Sequence, residues 1–183
     1  MIIKTDYTTD DIRLRILDWI LHNDHLKAFD NPDGSTRRKA FSIAYHSDTL
    51  PDWLRCFETG GVNVYNFIAI ATYNSGEIAP HVDDDLVHHM RELNIPGIYI
   101  SLPQSTCVYY VDICERMIGG ELICGDDVYV PIINSCVELS RGEVHSVKAI
   151  ESCDQPRVVL VCEHYRILPP AIKLIQLGEY REG

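Results

Sequence analysis

Val62-Asn63-Val64-Tyr65-Asn66-Phe67-Ile68-Ala69-Ile70-Ala71-Thr72-Tyr73 is dominated by β-branched, aromatic and small apolar residues. Such a run suits a pleated, buried strand better than a helix. Further runs of the same kind follow at Gly97–Leu102, Thr106–Asp112, Glu121–Cys124, Val128–Ile133, Cys136–Leu139 and Val158–Tyr165. Turn chemistry separates them: Asn74-Ser75-Gly76, Pro103-Gln104-Ser105, Gly119-Gly120, Gly125-Asp126-Asp127, Arg141-Gly142 and Ser152–Pro156. Short strands punctuated in this way predict a sandwich or barrel. Upstream the pattern differs. Thr8-x-x-Asp11 has the form of a capping box, and Ile12, Ile16, Trp19 and Ile20 recur at helical spacing, so a helix is expected to end near His22–Asp24. Asn31-Pro32-Asp33-Gly34-Ser35 reads as a turn and Lys39–Tyr45 as a short strand. Leu50–Phe57 reads as a short helix with Pro51 in its first turn, stopped by Gly60-Gly61. The expectation is one domain over 1–183: a helical N-terminal layer over 1–60 packed on a mainly β core over 62–166.

The 183 residues, 46% apolar and 23% charged, exclude a disordered or collagen-like chain. The net charge of −11 repels phosphate backbones, and the longest basic run is Arg37-Arg38-Lys39, so nucleic acid is not an expected partner. No apolar stretch approaches the ~20 residues of a membrane span. The start, Met1-Ile2-Ile3-Lys4-Thr5-Asp6, is unlike a signal peptide. The seven cysteines (56, 107, 114, 124, 136, 153 and 162) include no Cys-x-x-Cys and lie mostly in apolar runs. They read as buried thiols of a cytoplasmic protein rather than a zinc site.

Three His-x-Asp triplets occur, at His22-Asn23-Asp24, His46-Ser47-Asp48 and His81-Val82-Asp83. Chance alone gives about one in a chain of this composition, so the triplet proves nothing by itself. The third follows a long strand and Pro80, and in an extended segment residues two apart project to one face. His145, beside the turn at Arg141-Gly142, offers a third ligand from elsewhere in the β half. Two histidines and one carboxylate with open positions form the facial set of non-haem Fe(II) oxygenases. Arg157 opens the most apolar strand, Val158-Val159-Leu160-Val161-Cys162, where an unpaired guanidinium is costly and an anionic partner is needed. Glu151 or Asp154 at the surface are the ordinary candidates for that partner.

His81-x-Asp83, Gly119-Gly120-Glu121-Leu122, His145-Ser146-Val147 and Arg157 stand in the order and approximate spacing of the 2-oxoglutarate/Fe(II)-dependent dioxygenases. The pattern, over roughly residues 62–166, most resembles the prolyl-4-hydroxylase-like branch. The flank Gln155-Pro156-Arg157-Val158-Val159-Leu160-Val161 also resembles the aspartyl/asparaginyl-β-hydroxylase branch. The resemblance implies a double-stranded β-helix, or jelly roll, with flanking N-terminal α-helices. It implies His81, Asp83 and His145 as ligands of Fe(II), and Arg157 as partner of the far carboxylate of 2-oxoglutarate. Tyr110 matches the tyrosine that shares that carboxylate, with Tyr109 as the alternative because adjacent strand residues face opposite ways. Tyr73 is similar to the tyrosine often found beside the co-substrate. No catalytic residue beyond the metal ligands is implied. With iron(II), Asp83, the 2-oxoglutarate dianion and Arg157 together, the charges of such a site cancel, as a buried site requires.

The implied reaction couples decarboxylation of 2-oxoglutarate to succinate and CO2, using O2, with hydroxylation of an amino acid, a peptidyl residue or a small metabolite. A carboxylate at position 83 favours hydroxylation or desaturation over halogenation. The stretch Asp84–Gln104 is longer than the branch pattern, and Glu77-Ile78 replaces an aromatic common there; both departures bear on the substrate. Asp84-Asp85 reads as a solvated acidic turn or as an edge for a cationic substrate. His88-His89, being adjacent, point apart and read as surface residues. The alternatives are a cupin-like metal protein or isomerase without co-substrate, in which Arg157 has no purpose, and a catalytically silent jelly-roll binding module.

Overall fold

The computed structural model describes residues 1–30, 36–73, 77–99, 101–153 and 155–181. The turns expected at 31–35 and 74–76 lie outside them. In chain order the elements are β1 (Ile2–Lys4), α1 (Asp10–Leu21), β2 (Lys27–Asp30), β3 (Thr36–His46), β4 (Val64–Thr72), β5 (Ile78–His81), α2 (Asp85–Glu92) and β6 (Ser105–Asp112). There follow β7 (Ile118–Gly119), β8 (Leu122–Cys124), β9 (Asp127–Tyr129), β10 (Ser135–Ser140), β11 (His145–Val147), β12 (Ile150–Ser152), β13 (Arg157–Tyr165), α3 (Pro169–Ile172) and β14 (Tyr180–Arg181).

The major sheet runs β1-β10-β6-β13-β4-β3-β14, with β2 also on β3; the minor sheet runs β5-β11-β8-β9, and β12 pairs β7. Alternation along the central strands explains the layers. On β6 and β13, Cys107, Tyr109, Val111, Val158, Leu160 and Cys162 join Ile16 and Ile20 of α1 in one core. Their neighbours Val108, Tyr110, Val159 and Val161 meet Leu122 and Cys124 of the minor sheet in another. Two antiparallel sheets packed face to face, with α1 covering the outer side of the larger one, make a mainly β jelly roll with a flanking N-terminal helix.

Several expectations need correction. The segment 1–60 is not simply a helical layer, because β3 is eleven residues long and lies inside the major sheet beside β4. The cap of α1 is Thr9, whose side chain accepts from the Ile12 amide. Thr8 instead bonds the Tyr109 hydroxyl at 2.7 Å. The short helix expected over Leu50–Phe57 is a 3-10 helix, Asp52–Phe57. Gly97–Tyr99 is also 3-10 rather than strand, following Pro96, whose fixed φ favours a tight helical turn. Pro131 cuts short the strand expected at Val128–Ile133, which ends at Tyr129. Cys107 and Cys136 are joined as a disulfide between β6 and β10, so the seven cysteines are not all free thiols. Among the described residues no helix is long and apolar enough to cross a membrane.

Candidate active site

His81 ends β5, and His145 begins β11 directly opposite it in the antiparallel register. Their rings stand 4.4 Å apart between centroids. Asp83 follows two residues after His81, in the link to α2, and turns its carboxylate between them. His81 Nε2 lies 3.6 Å from Asp83 Oδ1, and His145 Nε2 lies 3.5 Å from Asp83 Oδ2. One ligand atom from each residue fits within a 4.8 Å span. Among the described residues this is the one such cluster that could hold a metal ion.

The outer nitrogens of both rings are committed. His81 Nδ1 is 2.9 Å from the Ala79 carbonyl, and His145 Nδ1 is 3.2 Å from the Glu143 carbonyl. A carbonyl only accepts, so each Nδ1 carries the proton and each Nε2 presents its lone pair inward. Asp83 Oδ2 is buried and has no hydrogen-bond partner among the described residues. A carboxylate whose two oxygens each face an imidazole lone pair, one of them buried and unpartnered among the described residues, is an arrangement that a cation completes. The side-chain contact with Asp83 raises the pKa of His81, against the opposing effect of burial. The residues present therefore fit a divalent metal with open positions.

The triad shares its cavity with Arg157, and Val108, Leu122, Val159 and Val161 wall it with apolar surface. Arg157 is 5% exposed. Its Nη1 donates 2.9 Å to the Gly120 carbonyl, while its Nε is buried without a partner. No described carboxylate pairs with it: Glu151 does not, and Asp154 lies outside the described residues. Burial lowers its pKa, partly offset by Tyr110. The Gly119-Gly120 pair is needed to bring the chain this close. Both have positive φ, and a Cβ would stand 1.9 Å from the Ala149 carbonyl oxygen at Gly119 and 3.2 Å from Arg157 Nη1 at Gly120.

Tyr110, not Tyr109, faces this side. Its ring centre is 5.8 Å from the Arg157 guanidinium carbon, and burial pushes its hydroxyl pKa up. Tyr109 faces α1 and bonds Thr8 and Asn134. Tyr73 is not brought to the cavity. It falls one residue beyond β4, on the opposite alternation from Ile70 and Thr72, and its amide bonds the Arg37 carbonyl. His46 instead contacts its own Asp48 at an exposed 3-10 turn.

A second polar group was not anticipated. Glu163, on the Arg157 face of β13 and fully buried, accepts from Asn66 Nδ2 at 2.7 Å, the Asp85 amide at 3.0 Å and the Tyr165 hydroxyl at 3.0 Å. It thereby caps α2 immediately after Asp83. Burial, reinforced by Asp85, raises its pKa to about 8. The available signal was the one used for Arg157: Asn66 and Glu163 interrupt apolar strands, where an ionisable or amide group needs partners.

No protein-family model and no curated protein matches the sequence. Solved structures do match in shape. A prolyl-4-hydroxylase from Pseudomonas putida superposes with a TM-score of 0.59 at 14% identity, over 90% of this chain and 92% of that one. The viral collagen prolyl hydroxylase of Paramecium bursaria Chlorella virus-1, in its 2-oxoglutarate complex, gives 0.57 at 9% identity, over 91% and 96%. The non-haem α-ketoglutarate-dependent epimerase SnoN of nogalamycin biosynthesis gives 0.58 at 15% identity, over 100% and 88%. The chain has the jelly-roll fold of the 2-oxoglutarate/Fe(II) oxygenases. Within that fold its likeness includes the prolyl hydroxylases.

Proposed function

We propose that the protein is an Fe(II)- and 2-oxoglutarate-dependent oxygenase, most simply a hydroxylase of an amino acid, a peptidyl residue or a small metabolite. The observation that carries this reading is Arg157: a buried guanidinium that no carboxylate among the described residues pairs with, in the same cavity as an inward-facing His-Asp-His set. A cupin-like protein without a diacid co-substrate would leave that charge unmet.

His81 and His145 would hold the metal through Nε2, with Asp83 supplying one carboxylate oxygen. The Nδ1 bonds to Ala79 and Glu143 lock both rings for that purpose. Bound there, iron supplies oxygen activation coupled to decarboxylation of the keto-acid. Arg157 would pair with the far carboxylate, for which its planar fork is suited, and the Gly120 carbonyl holds the guanidinium in place. Tyr110, on the neighbouring strand with its ring centre 5.8 Å from the guanidinium carbon, would join it. Val108, Leu122, Val159 and Val161 exclude water from the space between, strengthening each charged contact.

The test is release of succinate from 2-oxoglutarate under air with Fe(II). The expected result is turnover in the wild type, stimulated by substrate and abolished in His81→Ala, Asp83→Ala and His145→Ala. Turnover that survives in all three variants contradicts the proposal.

A further inference from the structure

A second cavity opens between α2 and the β14 edge of the major sheet, lined by Asp85, His88, His89, Glu92 and Arg181. Arg181 pairs with Ser42 of β3, and its side chain crosses the inner face of the sheet. Its Nη2 donates to Asn66 Oδ1 and lies 3.6 Å from Asp85 Oδ2. The side chain is only 10% exposed, yet Nη1 is buried with no hydrogen-bond partner among the described residues. A guanidinium nitrogen can only donate, so this atom has a hydrogen bond to give that none of the described residues accepts. His89 Nε2, in the same cavity, is also buried without a partner, while its Nδ1 faces Glu92 Oε2 at 3.8 Å.

The charges around the cavity select the ligand. Arg181 faces two carboxylates, Asp85 and Glu92, and Glu92 also has His88 Nε2 at 3.3 Å. A simple anion would satisfy Nη1 but be repelled by both carboxylates. A simple cation would suit the carboxylates and leave Nη1 unmet. A small group that carries both charges, held close together on one carbon centre, meets every demand. We propose that this cavity binds the head group of a free α-amino acid, its carboxylate on Arg181 Nη1 and its ammonium against Glu92 and Asp85.

The sheet register shows where the side chain would run. Arg181, Ser42, Ile68, Val161 and Val108 form one row across β14, β3, β4, β13 and β6. Val161 and Val108 also wall the cavity of the His-Asp-His set. The row between the two cavities crosses Ile68, an apolar floor for an aliphatic stem. That the amino acid is the molecule oxidised rests on the oxygenase reading; that it binds does not.

The probes are the free L-amino acids, each compared with its N-acetyl and methyl-ester derivatives by calorimetry. Binding is measured on the metal-free protein and on protein loaded anaerobically with Fe(II) and 2-oxoglutarate. At least one amino acid should bind, with both derivatives weakened about tenfold or more, the loss of one charged contact. Arg181→Gln and Glu92→Gln should each weaken binding to a similar extent. Glu92 is exposed on α2, so Glu92→Gln decides the matter should Arg181→Gln fail to fold. Absence of binding by every amino acid in both states overturns the proposal, as does equal affinity for the blocked derivatives or an unaffected Glu92→Gln. Succinate release in the presence of any of those results leaves the oxygenase reading standing. Amino-acid binding without succinate release does the reverse.

Discussion

The Arg157 guanidinium donates to the Gly120 carbonyl at 2.9 Å, and among the described residues no carboxylate pairs with it. One hydrogen bond to a neutral carbonyl does not compensate a buried full charge. On the proposed reading the remaining donors serve an anion delivered from outside the chain. Replacing Arg157 by Met should raise the 2-oxoglutarate concentration for half-maximal turnover about 10- to 100-fold, the equivalent of about 1.5–3 kcal/mol for a charge-assisted hydrogen bond. Steady-state kinetics at varied 2-oxoglutarate reads this directly, and unaltered half-saturation refutes the assigned role.

Gly120→Ala tests the support beneath that contact. Residue 120 has φ +78°, and the new methyl would meet Arg157 Nη1 at 3.2 Å, Met117 Cε at 3.1 Å and Ile150 Cγ1 at 3.3 Å. Left-handed backbone alone costs an alanine about 1–2 kcal/mol. The expected outcome is a lower Tm together with weaker 2-oxoglutarate binding. Gly119→Ala should be worse for folding, because its methyl would collide with the Ala149 backbone carbonyl.

Metal binding should depend on each of the three ligands. Removing a partner that merely orients a ligand typically costs 10–100-fold in affinity. His145→Ala or Asp83→Ala should therefore cost roughly 100-fold or more, read by equilibrium dialysis against Fe(II) or Mn(II). Variants that retain wild-type affinity would show that the cluster is not the metal site.

Glu163 and His164 are adjacent on β13, face opposite ways and carry opposite pH signatures. The Glu163 pKa, raised from 4.5 to about 8 chiefly by burial, means that the folded state holds a proton that the unfolded chain has released. Its contribution is complete below about pH 4.5 and is lost as pH rises toward 8. The His164 pKa is lowered to about 4, again chiefly by burial, so its contribution is complete above about pH 6.5 and is lost as pH falls toward 4. Between about pH 6.5 and 8 the Glu163 effect remains, with the raised pKa of His81 acting in the same direction in metal-free protein, and the Glu163 share of the fall in stability across that window should be at most about 2 kcal/mol. Denaturant unfolding of Glu163→Gln should show this slope flattened.

The triad was legible because His81 ends β5 with Asp83 only two residues on, in the link to α2, and His145 emerges beside a glycine turn to pair opposite His81. Arg157 was legible because charge in an apolar strand demands a partner. Tyr110 over Tyr109 required knowing which sheet face meets the minor sheet, which the alternation of β6 alone does not reveal. Tyr73 stands away from the cavity because it follows the last residue of β4 on the alternation opposite to Ile70 and Thr72. The α2 helix was missed since Asp85–Glu92 is short and polar, and its stability comes from Leu86, Val87 and Met90 packing in a distant cluster and from Glu163 capping its amides. The Cys107–Cys136 bond depends on the register of β6 with β10, a pairing that no local pattern contains.

The most direct measurement is the visible spectrum of the protein after anaerobic addition of Fe(II) and then 2-oxoglutarate. The account predicts a charge-transfer band from the iron–keto-acid chelate in the wild type, absent in His145→Ala and requiring more 2-oxoglutarate in Arg157→Met. A folded, iron-loaded wild-type protein that shows no such band at saturating 2-oxoglutarate would contradict it.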